Sequence, residues 1–172
     1  MTKILFLCHG NICRSPMAEF IMKHLVAQAG RANEFEIASA AVSTEEIGND
    51  IYPPAKRMLA AKNVPFEHHE ARQMTRADYA YYDYIVCMDQ SNLRRMRYII
   101  GEDMDHKVSL LKQWLNGPIN GPYGEADRSK RKEIVNGQIV NVDDVSDPWY
   151  TGDFTKAYDD ILEGCQGMLQ QI

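Results

Sequence analysis

Apolar positions along this chain follow two alternating rhythms. Lys3–Leu7, Phe35–Ser39, Tyr84–Met88 and Lys107–Leu111 are short apolar runs of strand length. Between them lie segments with helical spacing. Pro16–Ala29 carries Met17, Phe20, Ile21 and Leu25 on one face and ends near Gly30. Ala55–Lys62 follows Pro53-Pro54, and Arg76–Tyr81 and Asn92–Ile99 are shorter helical stretches. Phe154–Leu169 closes the series, with Ala157, Tyr158, Ile161, Leu162, Cys165 and Leu169 along one stripe. Strand and helix in alternation predict an α/β fold: a parallel sheet with helices on both faces. Such sheets bind ligands beyond the carboxyl ends of their strands. Cys8 directly follows the first strand, so the pattern puts it there.

One stretch breaks the rhythm. Gly117-Pro118, Gly121-Pro122 and Gly124 mark irregular chain, and Arg128–Lys132 is a basic cluster. From Glu133 to Val140 the sequence reads as a hairpin turning at Asn136-Gly137. The whole chain, 1–172, is expected to be one domain with an extended loop at about 114–146. This loop runs into Asp147. It is either an overhang that helps to select substrates or a solvated loop with an ordinary charge run.

Composition narrows the class. The 172 residues are 45% hydrophobic and 25% charged, ordinary for a globular domain with a sizeable core. A net charge of −5 gives no general affinity for nucleic acid or anionic membrane. The apolar run in MTKILFLCHG is too short for a signal peptide, and no segment has membrane-spanning length. Four cysteines do not make a disulfide framework at this length, and Cys8 and Cys13 lack metal-ligand spacing to Cys87 or Cys165. A reduced, cytoplasmic protein is expected, without cofactor or metal.

The chemistry concentrates in CHGNICRSP. A thiol and a guanidinium, Cys8-x5-Arg14, share a loop between a strand and a helix start. That layout aims backbone N–H groups and a helix N-terminus at an anion. The spacing alone is a weak signal, but its context strengthens it. Gly10 can take positive φ, Asn11 tolerates the left-handed region, Ser15 suits an N-cap and Pro16 the first helical position. Cys8 would attack phosphorus as a thiolate stabilised by the loop, with Arg14 as a planar fork on phosphoryl oxygens. Lysine cannot supply that fork. Ser15 is placed to donate to the sulfur and improve it as a leaving group. Cys13, five residues beyond Cys8, suggests a reversible disulfide that protects the nucleophile under peroxide.

CHGNICRSPMAE closely resembles the phosphate loop of low-molecular-weight protein tyrosine phosphatases. Later blocks resemble the same family in the same order: Ser39–Ser43 (SAAVS), His69–Thr75 (HEARQMT), Cys87–Asn92 (CMDQSN) and Asp147–Tyr150 (DPWY). The likeness spans nearly the whole chain except about Trp114–Ser146. It implies a four-stranded, flavodoxin-like sheet and phosphotyrosine hydrolysis through a phosphocysteine intermediate. The partner would be a phosphotyrosine protein or peptide, and the enzyme a monomer or weak dimer.

By the same resemblance Ser39 and His69 join Asn11 in a network that braces the loop. Asp147 serves as general acid and then base, Trp149 and Tyr150 wall the substrate ring, and Asp89 has a supporting role. Two positions depart from the animal relatives or vary in the family. Glu45 stands where those relatives carry an aromatic wall, which makes the rim more acidic and predicts poorer use of acidic phosphopeptides. His9 either lines the mouth or senses pH. Ile12 favours an aryl phosphate, because relatives acting on phosphoarginine tend to have a smaller, polar residue there. Phosphoarginine phosphatase is the nearest alternative. Arsenate reductase is more distant, since Cys87 and Cys165 are not spaced as a thiol relay. A phosphate-binding module without catalysis would not need the nucleophile.

Overall fold

A computed structural model describes residues 1–116, 132–135, 138–141 and 143–172. Four strands, β1 (Thr2–Cys8), β2 (Phe35–Ala41), β3 (Tyr84–Cys87) and β4 (Val108–Leu110), form one sheet in the order β2-β1-β3-β4. All its pairings are parallel, with Cys8 opposite Ala41 and Leu7 opposite Cys87. This is the flavodoxin-like order, in which the chain leaves β1 first to one side and later to the other. The expected parallel sheet is present, and the strand ends of β1 and β3 open the crevice at its top.

Both faces of the sheet are buried, and the period of two along β1 divides them. Ile4, Phe6 and Cys8 join one apolar cluster with Met17, Ile21, Ile161 and Cys165, from α1 (Arg14–Gln28) and α6 (Phe154–Leu169). Leu5 and Leu7 join another with Leu93 and Met96 of α4 (Gln90–Ile100). Each fully buried Leu, Ile or Phe contributes ~1.5–3 kcal/mol of transfer free energy, so the strand bearing Cys8 is held firmly on both sides. α2 (Pro53–Ala61) lies on the α1 side, and the short α3 (Arg76–Tyr81) precedes β3.

The helix starts differ from the sequence reading in an instructive way. α1 begins at Arg14 rather than Pro16, and its N-cap position is Cys13, without a side-chain cap. Ser15 is therefore not a cap. Its hydroxyl is engaged inside the loop, where it serves the thiol instead of a helix amide. Pro53 and Pro54 are the first residues of α2 rather than its preamble, as suits residues that have no N–H to satisfy. α4 starts at Gln90 because Asp89 and Asn92 form a reciprocal capping box. A further short helix, α5 (Pro148–Thr151), follows Asp147 and was not anticipated.

In the irregular stretch, Trp114 is buried in a 3₁₀ turn, Leu111–Asn116. Strands β5 (Lys132–Val135) and β6 (Gln138–Asn141) pair antiparallel, Val135 opposite Gln138, which agrees with the expected hairpin. The Gly-Pro steps, residues 128–131 of the basic cluster and the Asn136-Gly137 turn lie outside the described residues. Among the described residues no helix is long and apolar enough to cross a membrane, and no group of His, Cys, Asp or Glu could hold a metal ion.

Candidate active site

The loop from Cys8 to Arg14 closes around a sulfur atom. The Asn11 N–H donates to Cys8 Sγ at 3.3 Å, and Ser15 Oγ lies 3.0 Å from the same sulfur. Asn11 sits at φ 61, in the left-handed region expected of it. Its side chain is fully buried and fully used: Nδ2 donates to Ser15 Oγ and Ser39 Oγ, both at 2.9 Å, and Oδ1 accepts from the Arg72 N–H at 3.2 Å. Because Nδ2 can only donate, the Ser15 hydroxyl accepts that bond, and its own proton can turn to the sulfur at 3.0 Å or to the Ala40 carbonyl at 3.4 Å.

His69 Nε2 lies 2.8 Å from the Asn11 carbonyl; a carbonyl only accepts, so Nε2 carries the proton. The Ser39 hydroxyl in turn donates to Glu19 Oε2 at 2.6 Å. The expected partners of Asn11, Ser39 and His69, are thus in contact with it. The segment at 71–74 reaches the loop by adding to the sheet edge, where Ala41 N donates to Arg72 O and Met74 N to Ala41 O. Gly10 does not use positive φ, contrary to expectation. Its need is space, since a Cβ would stand 3.1 Å from Glu46 Cγ.

Arg14 is 2% exposed and lies between two carboxylates. NH1 donates to Asp89 Oδ2 at 2.6 Å and to the Val145 carbonyl at 3.2 Å, while NH2 donates to Asp147 Oδ2 at 2.9 Å. Burial works against its charge, but Asp89, then the Cys8 sulfur and Asp147, outweigh burial and raise its pKa further. The guanidinium is held flat and permanently charged beside the thiol. Asp89 therefore has two duties, capping α4 and bracing the fork.

Asp147 caps α5, its Oδ1 accepting the Trp149 N–H at 3.1 Å. The segment before it is pinned on three sides. Val145 N donates to Met88 O at 2.8 Å, Gln90 N to Asp144 Oδ1 at 3.0 Å, and Ser146 N to Asp160 Oδ2 at 3.1 Å. Asp160 is buried on α6 and paired with Lys156 at 2.7 Å. Asp144 is half-buried, and burial, ahead of the neighbouring Asp89 charge, lifts its carboxyl from 3.8 to about 6. A raised carboxyl binds its proton more readily in the native state than in the unfolded one, so its stabilising share is lost as pH climbs from 3.8 to about 6. Asp144→Asn, which keeps an acceptor for Gln90, is expected to raise the melting temperature above that window and to change little below it. Thermal unfolding across this pH range checks it, and an equal shift at both ends would exclude titration of Asp144 as the cause.

These groups line a cleft of ≈ 280 Å³ with Cys8, Cys13 and Arg14 at its floor. Ile12 lies on its wall, and Trp149 and Tyr150 stand at the mouth, 58% and 85% exposed. Their exposure argues against core packing. Tyr52, missed in the sequence, holds the Trp149 ring at 5.5 Å and gives its N–H to the Ile12 carbonyl at 2.8 Å. Glu45 is also at the rim, and its Oε2 lies 2.8 Å from His9 Nε2, so His9 lines the mouth as a partner of Glu45. Glu46 and Arg95 complete the rim and were also missed. Glu19 had a signal, as an acid set among Met17, Phe20 and Ile21. Cys13 is a free, buried thiol, pushed up to about 12 by burial and by Cys8 beside it.

Comparison with known proteins gives the same picture from another direction. A family model for low molecular weight phosphotyrosine protein phosphatase matches residues 3–135. The rat protein of that description, from Rattus norvegicus, is 35% identical over 98% of this chain and 94% of its own length. The low molecular weight protein-tyrosine-phosphatase YfkJ of Bacillus subtilis is 30% identical over 100% of this chain and 96% of its own. Its crystal structure superposes with a TM-score of 0.81, covering 99% of this chain and 93% of YfkJ. DARP, a Drosophila arginine phosphatase, is 27% identical with a TM-score of 0.75, over 98% of this chain and 96% of its own. With the loop, the sheet order and the near-complete alignment in agreement, the chain belongs to the low molecular weight phosphotyrosine protein phosphatase family.

Proposed function

We propose that this protein hydrolyses phosphotyrosine in proteins or peptides, in two steps through a phosphocysteine and without a metal. The observation that carries the reading is the convergence on one cleft of the Cys8 sulfur, the Arg14 fork and the Asp147 carboxyl. Cys8 attacks phosphorus as the thiolate, an S–P bond forms and the P–O bond to tyrosine breaks. Arg14 and the loop N–H groups hold the equatorial oxygens, whose charge persists through the transition state. A phosphoryl oxygen takes over the Arg14 N–H now given to Asp147, and the freed carboxylate takes the proton that Cys8 loses on becoming the thiolate and delivers it to the departing tyrosine oxygen. In the second step Asp147 accepts a proton from the attacking water. The sulfur leaves as thiolate, helped by the Ser15 hydroxyl. Glu45, Trp149 and Tyr150 form the walls for the substrate around this centre.

The test is rapid-quench hydrolysis of an aryl phosphate in the presence of chelator. A burst of phenol stoichiometric with enzyme, and a phosphoryl group recovered on Cys8, are expected. Turnover that stops with chelator would end the reading. Phosphoarginine is the competing substrate, favoured by the DARP likeness. A higher kcat/KM for it than for phosphotyrosine would reassign the cleft.

Cys8 and Cys13 also give the site a redox response: peroxide joins them as a disulfide, and thiol restores activity. With Cys13→Ser, peroxide is expected to inactivate irreversibly. Recovery as full as that of the parent would remove the role of Cys13.

A further inference from the structure

The rim of the cleft has two signs of charge. Glu45 and Glu46 occupy one part, and Arg95 another. Arg95 belongs to α4, a helix with three arginines and no acidic residue in a chain of net charge −5. Ser91, Arg94, Arg95 and Tyr98 lie at i, i+3, i+4 and i+7, which makes one exposed stripe, and Tyr98 is 90% exposed. Arg94 and Arg95 have no carboxylate partner among the described residues. The stripe starts at the phosphate clamp, since Asp89 both caps α4 and holds Arg14. At 1.5 Å per residue, Arg95 stands roughly 9 Å and Tyr98 roughly 13 Å along the helix from Asp89. An extended peptide covers that distance in about three or four residues.

We propose that α4 is a docking face for acidic residues flanking the phosphotyrosine of a protein substrate, read by Arg94 and Arg95 with Tyr98 beyond them. The proposal rests on the phosphotyrosine reading of the cleft, and it names the class of substrate. A tyrosine side chain that reaches Cys8 carries its own backbone over the rim. The acidic wall at Glu45 and Glu46 turns acidic neighbours away on that side, and α4 receives them on the other. On this proposal, the poor use of acidic phosphopeptides expected from Glu45 is confined to one side of the cleft. Two arginines are too few for a polyanion such as nucleic acid, and they suit one or two carboxylates.

The experiment compares kcat/KM for phosphotyrosine peptides of one length with aspartate, serine or lysine within four residues of the phosphotyrosine, on each side in turn. Free phosphotyrosine is run in parallel. The parent is expected to prefer acidic over neutral peptides on one side by about fivefold to tenfold at low salt, two exposed ion pairs contributing modestly and fading as salt rises. The double variant Arg94→Glu with Arg95→Glu is expected to reverse the order and prefer lysine peptides, a gain that damage to the fold cannot produce. Identical ranking by parent and variant, with free phosphotyrosine still hydrolysed, would overturn this inference alone. No hydrolysis of free phosphotyrosine by the parent would overturn the phosphatase reading beneath it. Self-association of the parent that the variant loses, with peptide ranking unchanged, would assign the face to a second copy and also overturn it.

Discussion

Cys8→Ser is expected to abolish turnover of every phosphate monoester, at least ~10⁴-fold, while binding of inorganic phosphate survives. The substitution is nearly isosteric and leaves the cradle intact, since Asn11 N–H and Ser15 Oγ meet an oxygen as readily as a sulfur. What is lost is the anion. A serine hydroxyl ionises far less readily than a thiol, and an alkoxide lies far beyond what two hydrogen bonds and one guanidinium can stabilise at neutral pH. Steady-state assay together with calorimetric titration of phosphate checks it. Full activity in the variant would mean that the loop binds substrate but that another group attacks.

Asp147→Asn is the second large effect, and its size depends on the leaving group. For a phenyl or tyrosyl phosphate a loss of about 10²–10⁴-fold in kcat is expected, the usual worth of a positioned general acid. For an activated nitrophenyl ester, which leaves without a proton, the loss should be much smaller. Asparagine keeps one oxygen, enough for the Trp149 N–H that starts α5, and gives up the bond to Arg14 NH2, while Asp89 and the Val145 carbonyl still hold the guanidinium, so α5 and the fork stay in place. Comparable losses on both esters would make Asp147 a support for Arg14 instead of a proton donor.

The sheet, both helical layers and the loop with its thiol and guanidinium were legible because each rests on local pattern. A run such as Ile4–Leu7 declares a buried strand wherever it stands, and Cys8 and Arg14 are six residues apart on one turn of chain. Asp147 was legible only by resemblance, because it reaches Arg14 across 133 positions and nothing near it marks it among other acids. Tyr52, Arg95 and Asp160 were not legible for the same reason. Their partners Trp149, the cleft and Ser146 are brought to them by tertiary packing. Ser15 was read with two roles, and only its contact with the thiol is found; the cap role fails because α1 starts at Arg14 and leaves Ser15 inside the helix. Gly10 was misread because local rules credit glycine with φ, and only the fold shows the Glu46 side chain above it.

The bonds made by Asn11 have a consequence for how this protein acquires activity. Its side chain joins Ser39 and the Arg72 amide, 28 and 61 positions away, and its carbonyl meets His69. The cradle therefore cannot exist in a nascent or partly folded chain, where β1 and its loop are made long before residues 69–72 are in place. A chain that lacks those long-range bonds lacks the support that sets Cys8, Arg14 and Ser15 in their places. Dephosphorylation becomes available only with the cooperative native state, and catalytic competence is a direct report on folding quality.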